Sequence, residues 1–468
     1  MAIAGRDTAP CSVGQNSAMR TAIDTIAAIA TPAGRGAVGI LRLSGPQAVD
    51  IAEKISGSLP LPRQAGLRDF CDADGSLIDQ GLVLHFPAPN SFTGEDVVEL
   101  QGHGGPMVLH LLLRAVCTLG ARAARPGEFS ERAFLNNRMD LAQAEAIADL
   151  IDASSAQAVR AARRSLDGEF SKRVNALVEE LIQLRVFVEG ALDFSDEDVN
   201  WLADEGLASR LEILLTHLRT LIAQATQGRR LREGITVTLT GQPNVGKSTL
   251  LNYLAGSEAA IVTAIAGTTR DVLRENIVLH GLPLTVVDTA GLRDSEDPVE
   301  IEGIRRAWQA LEHAEIALYL VDSRDRITAN DEALLKKIPA HLRVLVVHNK
   351  CDLSGEAPRC VTQHGRTHVY LCATSGSGVD LLVDEIKKIA GISEFGDDAF
   401  SARGRHLDAL QKTLSHTMQA QQRLTERSAA ELAAEELRLA QQALREITGA
   451  FSSDDLLGRV FSQFCIGK

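Results

Sequence analysis

A chain of 468 residues, 45% of them hydrophobic, has room for about three domains with cores of their own. Its net charge of −13 opposes strong nonspecific nucleic-acid binding by this chain alone, so for a nucleic-acid substrate a partner is expected to supply much of the basic surface. No run approaches 18 apolar residues, and the first 30 lack a secretory plan. The seven cysteines, at 11, 71, 117, 351, 360, 372 and 465, form no C-x-x-C pair, and these features together point to a cytoplasmic protein without a zinc or dithiol centre of that kind.

Residues 1–21 read as a flexible N-terminal extension. Residues 22–137 alternate short apolar runs, such as 38–43 and 82–86, with Gly/Pro turns, which predicts an α/β domain. From Asp140 the period becomes helical. Leu141, Ala144, Ile147, Leu150 and Ile151 share one face, and Leu207, Leu211, Leu214, Leu218 and Ile222 share another. The same signature returns in Leu407, Leu410, Leu414 and Met418, then in Leu437, Ala440, Leu444 and Ile447. One helical domain, 138–232 and 394–468, is therefore expected to be interrupted by an insert at 233–393 whose ends lie close together. The basic clusters at 160–164 and Arg229-Arg230-Leu231-Arg232 read as solvated helix faces.

The insert opens on a β-branched run, 235–239, followed by Gly241-Gln242-Pro243-Asn244-Val245-Gly246-Lys247-Ser248, which fills every fixed position of G-x-x-x-x-G-K-[ST]. Residues 249–254 leave it with helical spacing. Backbone N–H groups of such a turn and helix start face the β-phosphate. Lys247 is expected to reach the β- and γ-phosphates and Ser248 to ligate Mg²⁺. Gly267-Thr268-Thr269-Arg270-Asp271 lies where GTPases keep a mobile switch, with Thr269 the candidate to complete the Mg²⁺ shell. Residues 276–280 and 284–287 flank the turn Gly281-Leu282-Pro283, which predicts a Ras-like, mostly parallel sheet with one antiparallel strand.

Residues 285–287 lead into Asp288-Thr289-Ala290-Gly291, where Asp288 is placed to hold Mg²⁺ through water and Gly291 to sense the γ-phosphate. Leu292 stands where Ras-type enzymes keep the water-orienting glutamine. Either hydrolysis is very slow, or a polar group elsewhere takes over; residues 293–302 offer several carboxylates, each of which also reads as a solvated acidic loop. Residues 344–348 lead into Asn349-Lys350-Cys351-Asp352, and resemblance to GTPases gives Asp352 the guanine ring N–H and amine. Cys372-Ala373-Thr374 replaces the usual Ser-Ala-Lys, leaving the Ala373 amide able to meet guanine O6.

The ending Phe464-Cys465-Ile466-Gly467-Lys468 matches C-[ILV]-G-K, and further blocks match at Ala30-Thr31-Pro32-Ala33-Gly34-Arg35-Gly36, Asn90-Ser91-Phe92-Thr93-Gly94-Glu95-Asp96 and residues 125–134. Over residues 22–468 the chain resembles the tRNA modification GTPases of the TrmE/MnmE family. That resemblance implies a potassium-activated GTP hydrolase that works with a flavin-dependent, tRNA-binding partner. The pair would add carboxymethylaminomethyl or aminomethyl groups at carbon 5 of the wobble uridine, position 34. It implies GTP contacts through Asn244, Val245, Gly246, Lys247, Ser248 and Thr249, and through Thr263, Ala264, Ile265, Ala266, Gly267, Thr268 and Thr269. Others fall on Asp288, Thr289, Ala290 and Gly291, on Asn349, Lys350 and Asp352, and on Cys372, Ala373 and Thr374. Glu300 takes the water-positioning role, and K⁺ is held by Asn244, Thr263, Ile265 and Thr268.

For the N-terminal domain the resemblance implies a folate-binding-like dimerisation module holding 5-formyltetrahydrofolate or methylene-tetrahydrofolate. Its contacts would be Arg42, Glu99, Arg138 and the terminal Lys468, a carboxylate pairing with the amidine-like edge while cations hold the glutamate tail. Cys465 becomes a functional position of unassigned role. A homodimer that joins its partner in a heterotetramer, with tRNA held largely by the partner and no membrane, completes the expectation. Two other readings stay open. A ribosome-assembly switch would bind ribosomal RNA, but usually carries a basic appendage that this acidic tail lacks. A mechanical GTPase would leave the folate-like module vestigial.

Overall fold

The computed structural model describes residues 24–193, 205–256, 274–279, 281–288, 312, 314–325, 327–391, 399–425, 430–450, 454–462, 464 and 467. The described residues up to Met139, joined by those after Ser452, form one compact unit, and those within Asp140–Ser452 form the other.

The first unit is built from β1 (Ile26–Ile29), β2 (Val38–Ser44), α1 (Ala48–Ser56), β3 (Gly66–Cys71), β4 (Leu77–Phe86), β5 (Val97–His103), α2 (Pro106–Thr118), β6 (Arg122–Ala123) and α3 (Glu128–Leu135). Its sheet runs β3-β4-β5-β2-β1-β6, antiparallel except for the β1–β6 pair. Strand alternation decides the faces. Leu41 and Leu43 of β2 and Val98 and Leu100 of β5 turn toward Ile51 and Ile55 of α1 and Leu112 and Val116 of α2, forming the core with Phe70 and Val83. The opposite face carries Arg42 and Glu99, paired in register, and is covered at one end by Phe129 of α3 against Ile26 and Ala28.

The C-terminal helix, Asp454–Ser462, also belongs to this unit and not to the helical domain with which the sequence groups it. Phe461 meets Phe134 of α3 at 6.3 Å and Phe464 at 5.5 Å. Gly467, buried at φ +97°, lies so close to β1 that a Cβ would sit 2.5 Å from the Ile29 carbonyl oxygen, which accounts for the glycine of the terminal motif. Its neighbours Cys465 and Lys468 lie outside the described residues.

In the second unit, α4 (Leu141–Asp152), α5 (Ala156–Leu166), α6 (Glu169–Asp193) and α7 (Glu205–Glu233) precede the insert, and α12 (Gly404–Thr425) and α13 (Ala430–Thr448) follow it. Their shared core joins Phe170, Leu181 and Leu184 to Leu211, Leu214 and Leu218, to Leu410, and to Leu437, Leu444 and Ile447. Asp140 starts α4 through a capping box with Gln143. The expected face of α4 is only partly right. Leu141 and Ala144 are buried, but Ile151 is 44% exposed while Glu145 and Asp149 are buried. Met418 of the α12 face is likewise exposed. Carboxylates displace aliphatic groups on α4 because basic side chains from α7 and the start of α12 meet them there.

The insert contains β7 (Ile235–Gly241), α8 (Lys247–Gly256), β8 (Arg274–Leu279), β9 (Leu282–Asp288), β10 (Ile316–Asp322), α9 (Ala329–Lys337), β11 (Arg343–Asn349), α10 (Cys351–Ser354), β12 (Arg359–Gln363), β13 (Arg366–Tyr370) and α11 (Val379–Ile389). The sheet order is β12-β13-β11-β10-β7-β9-β8. β8 and β9 pair with Leu279 opposite Leu282 and Val278 opposite Pro283, so Leu282 and Pro283 belong to the strand and not to the expected turn. A second antiparallel edge strand, β12, corrects the expectation of one. Its cue was a two-residue turn, His364-Gly365, both at positive φ as a tight hairpin requires. Apolar side chains cover both sheet faces, as a mostly parallel sheet demands. Among the described residues no helix is long and apolar enough to cross a membrane.

Candidate functional site

The sequence around Gly241 produces a strand, a turn and a helix in direct succession. Asn244 adopts φ +63° and Gly246 φ +95°, so the chain reverses and α8 begins at Lys247. The N–H groups of its first turn are the donors that an α-helix leaves without internal partners, and they suit phosphate oxygens. Ser248 and Thr249 are exposed on that turn. Lys247 Nζ donates to the carbonyls of Gly241 at 3.0 Å and Gln242 at 2.9 Å, so the ammonium stands over the loop it closes.

Two side chains outside the loop fix it. Gln242 donates to Asp331 Oδ1 at 3.0 Å, and Asp331 also accepts from the Tyr319 hydroxyl at 2.7 Å while capping α9 through Thr328. Burial would raise the Asp331 pKa, but the bonds from Thr328, Gln242 and Tyr319 hold it below the ordinary value. Asn349, at the end of β11, donates from Nδ2 to the Val245 carbonyl at 2.8 Å. Its Oδ1 accepts the Ala373 N–H at 2.9 Å. The amide expected at guanine O6 is therefore engaged with Asn349, which joins the phosphate loop to the Cys372-Ala373-Thr374 turn. Cys372 is buried with its N–H on the Ser377 carbonyl, whereas Thr374 is exposed.

Lys350 is left-handed at φ +66° and sends Nζ to the Asn244 carbonyl at 2.7 Å and to Asp322 Oδ2 at 2.9 Å. Arg324 first, and Lys350 with it, hold the Asp322 carboxyl well below the usual carboxylate range. Asp352 is exposed at the second residue of α10. Asp288 ends β9 in register with Leu239, beside the phosphate-loop strand. The other sequence candidates here, Thr263, Ala264, Ile265, Ala266, Gly267, Thr268, Thr269, Thr289, Ala290, Gly291 and Glu300, lie outside the described residues. Asp322 and Asp331 were missed. Their only sequence signals were an aspartate closing an apolar strand and a T-x-x-D capping box.

On the first unit's open sheet face, Arg42 Nη2 pairs with Glu99 Oε1 at 2.8 Å, and Gln101 donates to Glu99 Oε2 at 3.2 Å. The Arg42 guanidinium lies 5.7 Å from the Phe92 ring centroid and 5.8 Å from that of Phe129. Arg138 is exposed, its stem beside Gly94. The family-matching blocks around this face build its frame. Ser91 and Thr93 bond within the turn that follows β4, and Glu95 accepts from Ser44 at 2.7 Å and Arg132 at 3.1 Å.

A strand, phosphate loop and helix tied to an Asn-Lys-Cys-Asp turn on a parallel strand of the same sheet, one strand removed, define a P-loop GTPase, here set within a helical domain. A family model described as the MnmE helical domain matches residues 141–465, and one described as the N-terminus of GTP-binding protein TrmE matches 25–138. The tRNA modification GTPase MnmE of Stutzerimonas stutzeri is 56% identical over 456 residues, covering 96% of this chain and all of the relative. Its namesakes from Hydrogenovibrio crunogenus and Yersinia pseudotuberculosis are each 54% identical, over 445 and 450 residues, covering 95% of this chain and 99% of each relative. The chain belongs to the MnmE family of tRNA modification GTPases.

Proposed function

We propose that this GTPase is potassium-activated. With a flavin-dependent partner it would add carboxymethylaminomethyl or aminomethyl groups to carbon 5 of the tRNA wobble uridine, taking one carbon from a tetrahydrofolate. The observation that carries the reading is identity above 50% along nearly the whole chain to proteins named for tRNA modification.

Several of the described residues offer polar groups suited to this chemistry. The exposed Ser248 hydroxyl suits Mg²⁺, with Thr269 as its second ligand, and the exposed Asn244 amide oxygen suits K⁺, with Thr263, Ile265 and Thr268 completing that set. When bound, the two cations supply positive charge against the phosphates. Lys247 and the first-turn N–H groups orient the nucleotide, Asp352 selects guanine, and Glu300 positions the attacking water. On the open sheet face, Glu99 keeps lone-pair capacity for a pterin's amidine-like edge, and Arg42 offers a cation framed by two aromatic rings. Arg138 and Lys468 would hold the glutamate tail. The chain would act in the cytoplasm as a homodimer, joined to the flavin- and tRNA-binding partner in a heterotetramer.

The test is nucleoside mass spectrometry of tRNA from a bacterial strain lacking its own family member, with and without this gene. Restored carboxymethylaminomethyl or aminomethyl uridine supports the proposal. Unmodified wobble uridine, with this protein and the partner both present and soluble, overturns it. Glu300→Ala should keep GTP affinity and abolish turnover.

A further inference from the structure

We propose that Asp322 is a positioning residue for guanine-nucleotide binding, acting through Lys350. The inference rests on reading Asn349-Lys350-Cys351-Asp352 as the guanine loop.

Asp322 closes β10, a strand buried along its whole length, and its carboxylate stays buried at the strand end. Both oxygens are occupied. Oδ1 accepts the Arg324 N–H at 3.1 Å and Arg324 Nε at 3.0 Å, while Oδ2 accepts Arg324 Nη2 at 2.7 Å and Lys350 Nζ at 2.9 Å. The Lys350 ammonium is thereby held from two sides, by Asp322 and by the Asn244 carbonyl of the phosphate loop. Its backbone is fixed as well. The Ser323 N–H donates to the Asn349 carbonyl at 2.8 Å, and the Leu353 N–H to the Lys350 carbonyl at 3.0 Å.

A lysine pinned at backbone and ammonium loses the rotamer freedom that a free one would surrender when a nucleotide arrives. Its methylene stem then spans a fixed course from the Asn-Lys-Cys-Asp turn to the phosphate loop, giving a purine held by Asp352 a preformed apolar edge. A neutral acceptor at 322 would hold the ammonium less strongly, because charge-assisted hydrogen bonds are the stronger class. The cost should fall on binding and not on the chemical step, since Asp322 contacts no atom of the phosphate-transfer machinery named above.

The test uses the full chain and measures mant-GDP affinity with steady-state GTP hydrolysis for Asp322→Asn, Asp322→Glu, Arg324→Ala, Lys350→Met and the Asp322→Asn/Lys350→Met pair. Asp322→Asn, which keeps shape and removes charge, should weaken binding about tenfold. It should raise KM and leave kcat unchanged, and Asp322→Glu should recover much of the loss. The double variant should bind no worse than Lys350→Met alone, because the two residues act in series. Arg324→Ala should bind as well as the wild type. If Lys350→Met weakens binding while Asp322→Asn does not, or if the two losses add, the proposal fails and the guanine-loop reading stands. Tenfold weaker binding in Arg324→Ala also overturns it, because the carboxylate would then serve the Arg324 turn. Should Lys350→Met leave affinity unchanged, the guanine-loop reading fails too.

Discussion

Arg232 Nε and Arg403 Nη2 both lie 2.7 Å from the same oxygen, Oδ1 of Asp149. Arg232 stands where the chain leaves the helical domain for the GTPase insert, and Arg403 where it returns, so one buried carboxylate holds both crossings. Ser401 closes the other oxygen at 2.5 Å. One turn earlier on α4, Glu145 receives Arg405 at 2.6 Å and His406 at 2.8 Å. Burial would raise the Glu145 pKa, but His406 and Arg405 hold it well below the carboxylate range. Asp149→Ala would leave two guanidinium groups without their shared counter-charge, a loss of about 3 kcal/mol. Chemical denaturation should show a clearly lower midpoint; an unmoved one would mean that the crossings are held by packing alone.

Gly246 has no room for a side chain. A Cβ there would overlap Asn349 Nδ2, and φ +95° disfavours any L-residue. Gly246→Ala must push Asn349 off both the Val245 carbonyl and the Ala373 N–H. Two buried hydrogen bonds and the backbone strain together cost about 2–3 kcal/mol. Because the phosphate loop and the Ala373 turn lose their common tie, mant-GDP affinity should fall by at least about tenfold. Calorimetry and a binding titration on one sample check both parts.

His348 Nε2 lies 3.0 Å from His368 Nδ1, and the His348 ring stacks on Tyr370 at 4.2 Å. Burial first, then His368 and Arg359, lower the His348 pKa to about 4; burial lowers that of His368 as well. Between about pH 6.5 and 4 the unfolded chain binds a proton that the folded histidine refuses, so stability falls as the pH drops through that window. For His348 alone the loss reaches at most about 3 kcal/mol. His348→Gln should flatten the pH dependence of unfolding between those limits, and an unchanged slope would assign it to other groups.

Local chemistry was legible in the sequence, and distant pairing was not. The phosphate loop and the strand before Asn349 follow from fixed spacing, since their donors and acceptors lie within one turn. The interior of α4 followed another rule. Its aliphatic period pointed to Ile147, Leu150 and Ile151, but Glu145 and Asp149 occupy the buried positions because Arg232, Arg403, Arg405 and His406 come from remote segments to neutralise them. The basic run Arg229-Arg230-Leu231-Arg232 read as a solvated face for the same reason. Arg230 instead donates to the Ala390 carbonyl at 2.5 Å, and Leu231 is buried. Asp322 and Asp331 were missed because each meets its loop partner only after the sheet has formed.

Glu128 shows what the family-matching block at 125–134 does physically. Nearly fully buried at the start of α3, it accepts the Arg125 N–H at 2.8 Å, Arg122 Nη2 at 2.5 Å and Arg132 Nη2 at 3.4 Å, while Arg132 also reaches Asp24 at 2.7 Å. Burial would raise its pKa, but Arg122, the Arg125 amide and Arg132 bring it down to about 2. A depressed folded pKa means that the stabilisation is complete above the unfolded value near 4.5 and is lost as the pH falls toward 2. Since Arg122 is 43% and Arg125 66% exposed, solvent screening leaves about 1–2 kcal/mol. Glu128→Gln should lower stability by that amount at neutral pH and make the first unit less sensitive to acid between pH 4.5 and 2. Equal acid sensitivity in variant and wild type would show that Asp24 and Glu95, not Glu128, carry the charge that holds Arg132 against the sheet.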